Sequence, residues 1–219
     1  MTAERILCLL IALPGAAALF YGTRLWKGEW NKGMFVYYTN QSNLLVAVFH
    51  ALLFGAGFAP ESGLYRFLAA APVRLAVTCC ITVTFLVYHF ILVPHDRAKD
   101  PENFKKWFFT FQNLTVHYAV PLLTVLCWLL TADKNAPWWS AAAWLCLPLA
   151  YVIYALLRGR YGGTMNGKPD GPRYPYPFLD ADSLGPKDLV KNCAIYMTAF
   201  FLLGAVFTAL AKGMAAFSF

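Results

Sequence analysis

Apolar residues run through this chain in six long stretches, 5–23, 35–58, 73–93, 108–131, 138–157 and 190–211, separated by loops that carry most of the charge. An α-helix needs roughly 20 mostly apolar residues to cross the hydrocarbon core of a bilayer. The pattern therefore predicts an all-α fold, an integral membrane bundle of six transmembrane helices. It forms one domain over 1–219, with a long interfacial loop at 158–189 rich in Gly, Pro and aromatic residues. No soluble domain and no internal repeat interrupts it. The first stretch has only Arg5, beside Glu4, as its basic flank, and it stays apolar past Ala16-Ala17-Ala18 through Tyr21. It reads as a retained helix rather than a cleaved secretory signal.

Small polar residues recur inside three of these stretches. The sets are Thr39/Asn43/His50, Thr78/Thr82/His89 and Asn113/His117/Thr124, each with one histidine. Residues 4, 7 or 11 apart share one face of a helix. A polar side chain in a bilayer is costly unless it meets a partner or a cavity. Three such stripes predict a polar cavity between helices. At 1.5 Å per residue, Thr39 and His89 lie about 6 Å from one membrane face and His117 about 13 Å, with Asn113 one turn shallower. Thr39, Ser42, Asn43, His89, Asn113 and His117 can thus share a leaflet. His50 lies about 16 Å beyond Thr39, at the depth of Thr82 and Thr124.

Composition agrees with lipid as the solvent. The 219 residues are 59% hydrophobic and 13% charged, where a soluble domain carries about 25% charged residues. The net charge of +7 does not indicate nucleic-acid binding, because the basic residues sit beside apolar spans. Thirteen of the 18 Lys and Arg fall in or beside the first, third and fifth loops. Positive charge marks the cytoplasmic side, so those loops are expected in the cytoplasm and both termini outside. The six cysteines all lie in apolar stretches without a Cys-x-x-Cys, and read as small packing residues. Faces such as Ala141-Ala142-Ala143 suit packing within a chain and between chains alike, so they leave the oligomeric state open.

The residue types suggest one chemistry before others. A threonine hydroxyl becomes a nucleophile when a base takes its proton, and neutral histidine is the usual base near pH 7. Thr39 and His117 lie at compatible depths. Asn43 and Asn113 are candidates for orienting the imidazole or for donating to an oxyanion, and Ser42 and His89 are further candidates for the same roles. Ordinary hydrogen bonding between helices is the competing explanation for the same residues. His89, His95 and Asp96 are possible metal ligands by type, but Pro94 interrupts their spacing and no metal site is assigned. In the fifth loop, Pro172-Arg173-Tyr174-Pro175-Tyr176-Pro177-Phe178-Leu179-Asp180 reads either as an interfacial strap or as a lid over a lateral opening for lipid. The lid reading gives Tyr174, Tyr176 and Asp180 the substrate-facing positions, with Asp180 or Asp182 turned inward. Trp107, Trp138 and Trp139 read as interface anchors. No Gly-x-Ser-x-Gly, His-Glu-x-x-His or Gly-rich phosphate loop is present, and no cofactor is implied.

Three segments carry a resemblance. They are Tyr37-Tyr38-Thr39-Asn40-Gln41-Ser42-Asn43-Leu44-Leu45, His117-Tyr118-Ala119-Val120-Pro121-Leu122-Leu123 and Tyr174-Pro175-Tyr176-Pro177-Phe178-Leu179-Asp180. Together, over about 35–205, they resemble a bacterial group of small polytopic membrane proteins. That group is similar to the androgen-induced transmembrane proteins of animals, intramembrane threonine hydrolases that cleave fatty-acid esters of hydroxy fatty acids. The resemblance implies Thr39 as nucleophile, His117 as base, a membrane lipid or fatty-acyl ester as substrate, and a bacterial inner membrane as location. Asn43 follows Thr39 by four residues where the animal pattern has three, and the tyrosine-proline strap belongs to the bacterial group. Two other readings stand beside it. One is a small-molecule or proton-coupled transporter with His50, His89 and His117 as a relay. The other is a non-catalytic lipid-binding protein.

Overall fold

The computed structural model describes residues 2–31, 33–165 and 170–217, with residue 217 described in its backbone alone. Among the described residues there is helix and no strand. We number the helices α1 (Ala3–Thr23), α2 (Tyr38–Ala56), α3 (Gly63–Ala69), α4 (Ala71–Lys99), α5 (Pro101–Phe108), α6 (Phe111–Thr131), α7 (Ser140–Tyr161) and α8 (Ala181–Phe217). Five of them, α1, α4, α6, α7 and α8, are long and apolar enough to cross a membrane. Leu13, Phe20, Phe90, Leu130, Ile153 and Leu202 all turn outward. So much outward apolar surface needs a cover, and lipid supplies one.

The sequence predicts six spans, and α2 is the one that falls short of the apolar criterion. Its 19 residues carry no charged side chain and pack along α1. Its first turns, however, hold Thr39, Asn40, Gln41, Ser42 and Asn43, which lower its hydropathy. Two other boundaries differ from expectation. α4 continues through Lys99 rather than ending near residue 93, and α8 begins at Ala181 rather than near 190. With α7 running to Tyr161, the fifth loop spans 162–180 rather than 158–189. Gly185 has φ 71° and precedes Pro186, so the first turn of α8 ends in a kink that favours glycine.

The bundle is organised around α4. Every residue from Val77 to Thr84 is buried. On one side Ile81 packs with Ile11 of α1, Val46 and Leu53 of α2, and Val120 of α6. On the other, Leu75 and Val83 join Trp128, Trp144 and Phe207 of α6, α7 and α8. Each of these side chains contributes about 1.5–3 kcal/mol if its burial is counted against water. In lipid that drive is weaker, and close packing takes its place.

Prolines reshape three of the helices where they pass the site. Proline removes an amide and its ring crowds the carbonyl four residues earlier. Before Pro94, α4 opens into a π-turn over Tyr88–Leu92, closed by the Val93 amide on the Tyr88 carbonyl. Before Pro121, α6 does the same over Thr115–Ala119, closed by the Val120 amide on the Thr115 carbonyl. α7 breaks at Trp144–Leu145, four and three residues before Pro148. Such π-turns are rare and concentrate at functional sites. Here they contain His89 and His117.

The end of the bundle away from these turns holds a buried ion pair. Arg74 opens α4 and meets Glu4 of α1; its side chain is 3% exposed and that of Glu4 15%. Arg74 also donates to the Thr131 hydroxyl at 2.8 Å and approaches the Cys127 sulfur at 3.5 Å. Tyr65 of α3 donates to the second Glu4 oxygen at 3.0 Å. Four helices are thus fastened through one carboxylate and one guanidinium. Neither residue had a role in the sequence reading.

Candidate active site

Thr39 stands in the first turn of α2 and His117 inside the π-turn of α6. The Thr39 hydroxyl lies 3.4 Å from His117 Nε2. His117 Nδ1 lies 3.1 Å from the Asn113 carbonyl. A carbonyl only accepts, so Nδ1 carries the proton in the neutral ring, and the lone pair on Nε2 faces the Thr39 hydroxyl. That is the tautomer a base toward Thr39 requires. Tyr88 stacks on the imidazole, with ring centroids 3.6 Å apart and planes 14° from parallel. Tyr88 had no role in the sequence reading. Its signal was its position one turn after Thr84 on α4, the face that meets α2 through the Ser42–Thr84 contact of 2.8 Å.

Asn43 is fully buried and fastens α2 to α6. Its amide donates to the Thr39 carbonyl at 2.8 Å and the Val116 carbonyl at 2.9 Å. The second bond has a local cause. Within α6 the Val116 carbonyl would be met by the amide of residue 120 or 121. The Val120 amide is taken by Thr115, and Pro121 has none. Asn43 supplies the missing donor beside His117. Both of its amide hydrogens are committed, so it positions the site rather than stabilising an oxyanion. Asn43→Leu is expected to leave two carbonyls without this donor and to cost roughly 1–3 kcal/mol, readable as a lower thermal midpoint in detergent. An unchanged midpoint would remove the fastening role.

The other polar candidates are also committed. Asn113 donates to the Tyr88 hydroxyl at 2.7 Å and to the Phe108 carbonyl at 2.8 Å, which orients Tyr88. Ser42 contacts the Thr39 carbonyl and Thr84. His89, expected inward, is exposed and sits 3.1 Å from the Tyr118 hydroxyl. The reason is packing: α4 is enclosed on all sides through its middle, but past Thr84 its Tyr88 face alone stays buried. His50, expected near Thr82 and Thr124, is buried with Nδ1 2.9 Å from its own Val46 carbonyl. Thr78, Thr82 and Thr124 donate to carbonyls four residues back in their own helices. The stripe residues His50, Thr78, Thr82 and Thr124 therefore each meet a carbonyl of their own helix. The cavity forms only where Thr39, Asn113 and His117 meet the strap.

That cavity measures about 680 Å³. Its wall includes Thr39, His117, Tyr88, Trp107, Tyr174 and Tyr176, with His95, Asp96, Lys99 and Asp180 toward the outer end. Trp107, read as an anchor, is thus part of the wall, while Trp138 and Trp139 stay exposed. A narrow apolar crevice of about 50 Å³ lies on the other side of Thr39, between α4, α7 and α8. Val83, Val87, Val152, Met197 and Phe200 line it. Thr39, Tyr88 and Tyr176 belong to both spaces. Among the described residues no group of three His, Cys, Asp or Glu could hold a metal ion. His95 Nδ1 simply pairs with Asp96 at 2.9 Å.

The strap reaches the site because two arginines pin it. Arg158 donates to the Gly163 and Arg173 carbonyls at 2.8 and 3.0 Å. Arg173 donates to the Gly159 and Arg160 carbonyls at 2.8 and 2.6 Å, satisfying the open end of α7. Asp182, one of two carboxylates expected to turn inward, is exposed and pairs with Arg173 at 3.3 Å. Asp180 stays in the cavity wall and accepts from the Asp182 amide at 3.1 Å. Tyr174 is buried flat over Gly159, where a Cβ would stand 2.1 Å from the ring. Gly159→Val is expected to lift Tyr174 and loosen the strap while the helices stay folded. Protease cleavage within 170–180, faster in the variant, checks it; unchanged cleavage would contradict it.

Tyr176 is buried among Tyr37, Tyr151 and Phe178, with ring centroids 6.0, 6.3 and 5.1 Å away. Its phenol faces the Thr39 hydroxyl and the Tyr38 and Thr39 backbone. Burial pushes that phenol up to about 12, against the opposing pull of Thr39. Compared with protein-family models, curated proteins and solved structures, the chain matches none.

Proposed function

We propose that this protein is an intramembrane ester hydrolase, with Thr39 as nucleophile and His117 as base, acting on a long-chain lipid ester. The observation that carries the reading is the Thr39 hydroxyl 3.4 Å from a His117 nitrogen whose partner nitrogen is held on the Asn113 carbonyl. Its placement adds support, since Thr39 stands where a polar cavity meets an apolar crevice. An ester has the same two-sided character around its scissile bond. The resemblance to the androgen-induced transmembrane hydrolases points to the same pair.

In this reading His117 accepts the Thr39 proton as the Thr39 oxygen attacks the acyl carbon. Collapse of the tetrahedral adduct breaks the bond to the alcohol oxygen, which takes the proton back from His117. Water then gives its proton to His117 and attacks the acyl-threonine. The acid leaves, and Thr39 regains its proton. No cofactor is required. α2 serves as a sixth spanning helix whose polar first turns line the site. The first, third and fifth loops face the cytoplasm of a bacterial inner membrane, and the cavity opens on that side. A proton relay would need the histidines along one path, whereas His50 is enclosed in the core and His89 lies on the outer surface.

The test is turnover of a panel of long-chain esters, branched hydroxy-fatty-acid esters included, by purified protein in detergent. Hydrolysis is expected for at least one ester. A bound lipid that is never cleaved would replace this reading with the non-catalytic one.

A further inference from the structure

Resting on the hydrolase reading, we infer that Tyr176 is a third catalytic residue, whose phenol donates a hydrogen bond to the oxyanion that forms when Thr39 attacks the acyl carbon. An acyl transfer needs such a donor, because the carbonyl π electrons move onto oxygen in the tetrahedral adduct. The polar side chains nearest the dyad do not supply it. Both amide hydrogens of Asn43 are spent on backbone carbonyls, and both of Asn113 on the Tyr88 hydroxyl and the Phe108 carbonyl. Ser42 is turned to Thr84 and the Thr39 carbonyl. His89 faces out.

Two phenols line both spaces with Thr39: Tyr88 is stacked on His117 and its hydroxyl is bound by Asn113, whereas the Tyr176 hydroxyl faces Thr39 itself. Tyr176 lines both the polar cavity and the apolar crevice, as Thr39 does, so it stands at the junction where the ester carbon must sit. Its ring is 7% exposed and held on three sides by aromatic neighbours, so its hydroxyl is fixed before substrate arrives. It faces the opening turn of α2. The Tyr38 and Thr39 amides there have no partner within the helix. An oxyanion at this point would meet the phenol from the strap and the Thr39 amide from the helix. The phenol keeps its proton throughout and gives only a hydrogen bond; the proton transfers stay with His117. The strap is then part of the catalytic apparatus, and a displaced strap leaves the dyad without its electrostatic partner.

Burial also keeps the phenol protonated at a pH where free tyrosine ionises. A raised pKa gives a defined sign: the donor is intact below pH 10 and is lost as pH rises through about 12.

The experiment compares wild type, Tyr176→Phe, Tyr161→Phe and Thr39→Ala on the best ester of the panel, each checked for monodisperse folding. Tyr176→Phe keeps the ring and loses only the hydroxyl. It is expected to lower kcat about 100-fold or more with KM little changed, and to weaken binding of a long-chain alkylboronic acid by a similar factor. Tyr161→Phe, at the exposed end of α7 and outside both spaces, is expected to stay near wild type. A 3-fluorotyrosine placed at 176 keeps ring and hydroxyl but lowers the phenol pKa, and should bring the alkaline loss of kcat to lower pH. That readout also serves if Tyr176→Phe fails to fold, and a purely structural tyrosine would not move it. Full activity in Tyr176→Phe, or an unmoved alkaline limb in the fluorotyrosine protein, with Thr39→Ala inactive, overturns the role of Tyr176 alone. No hydrolysis by wild type overturns this inference together with the reading beneath it.

Discussion

Thr39→Ala is expected to lose ester hydrolysis by at least about 1,000-fold, and His117→Ala by a comparable factor. Both follow from one geometry. Without the hydroxyl there is no atom to carry the acyl group. Without the imidazole, nothing within hydrogen-bond range of Thr39 accepts a proton at neutral pH: Tyr176 and Tyr88 are phenols, and Ser42 is turned away. Removing both residues together should cost little more than removing either, because they act as a unit. Thr39→Ser keeps the oxygen and should retain part of the rate. The helices should tolerate all of these changes, since Thr39 and His117 are half-buried at a cavity wall. Stopped-flow and steady-state rates on the same ester, with thermal midpoints beside them, separate lost chemistry from lost folding. Equal turnover in wild type and Thr39→Ala would remove Thr39 from the reaction.

The largest effect on stability is expected far from this site, at Arg74. Arg74→Met removes the guanidinium that faces Glu4, Thr131 and Cys127. Glu4 then keeps only the Tyr65 hydroxyl. Breaking a buried pair from one side costs about 3–5 kcal/mol, because the remaining charge has lost its partner. For a chain of this size that corresponds to a thermal midpoint lower by roughly 10 °C. The double variant Glu4→Gln/Arg74→Met removes both charges and should recover much of the loss. A single variant as stable as wild type, or a double variant no better than the single, would show that the pair does not hold these four helices together.

The meeting of Thr39 and His117 was legible in the sequence, because helical spacing and depth put the two at compatible depths. Their surroundings were not. The Thr78, Thr82 and Thr124 stripe misled because a threonine in an apolar helix can satisfy itself on the carbonyl one turn back. Periodicity cannot distinguish that from a hydroxyl facing a cavity. His89 was misplaced because the stripe argument treats α4 as having one inward face, whereas its middle is enclosed and its end is not. Asn43 was singled out for orienting or oxyanion work; its partner is a carbonyl freed by Pro121, and the proline four residues after His117 was the readable sign of it. The strap was recognised by its prolines and tyrosines. Which tyrosine turns inward depends on Arg173 closing the end of α7 and on Tyr174 lying over Gly159. Those contacts join residues of the loop to α7, and no local pattern announces them.

Whether Thr39 carries the acyl group can be read by intact-protein mass spectrometry of the protein treated with a slowly released long-chain ester. Wild type is expected to gain the mass of one acyl group, located by fragmentation on the peptide containing Thr39 and absent in Thr39→Ala and His117→Ala. An acyl group found on another residue, or none at all while the ester is being hydrolysed, would contradict it.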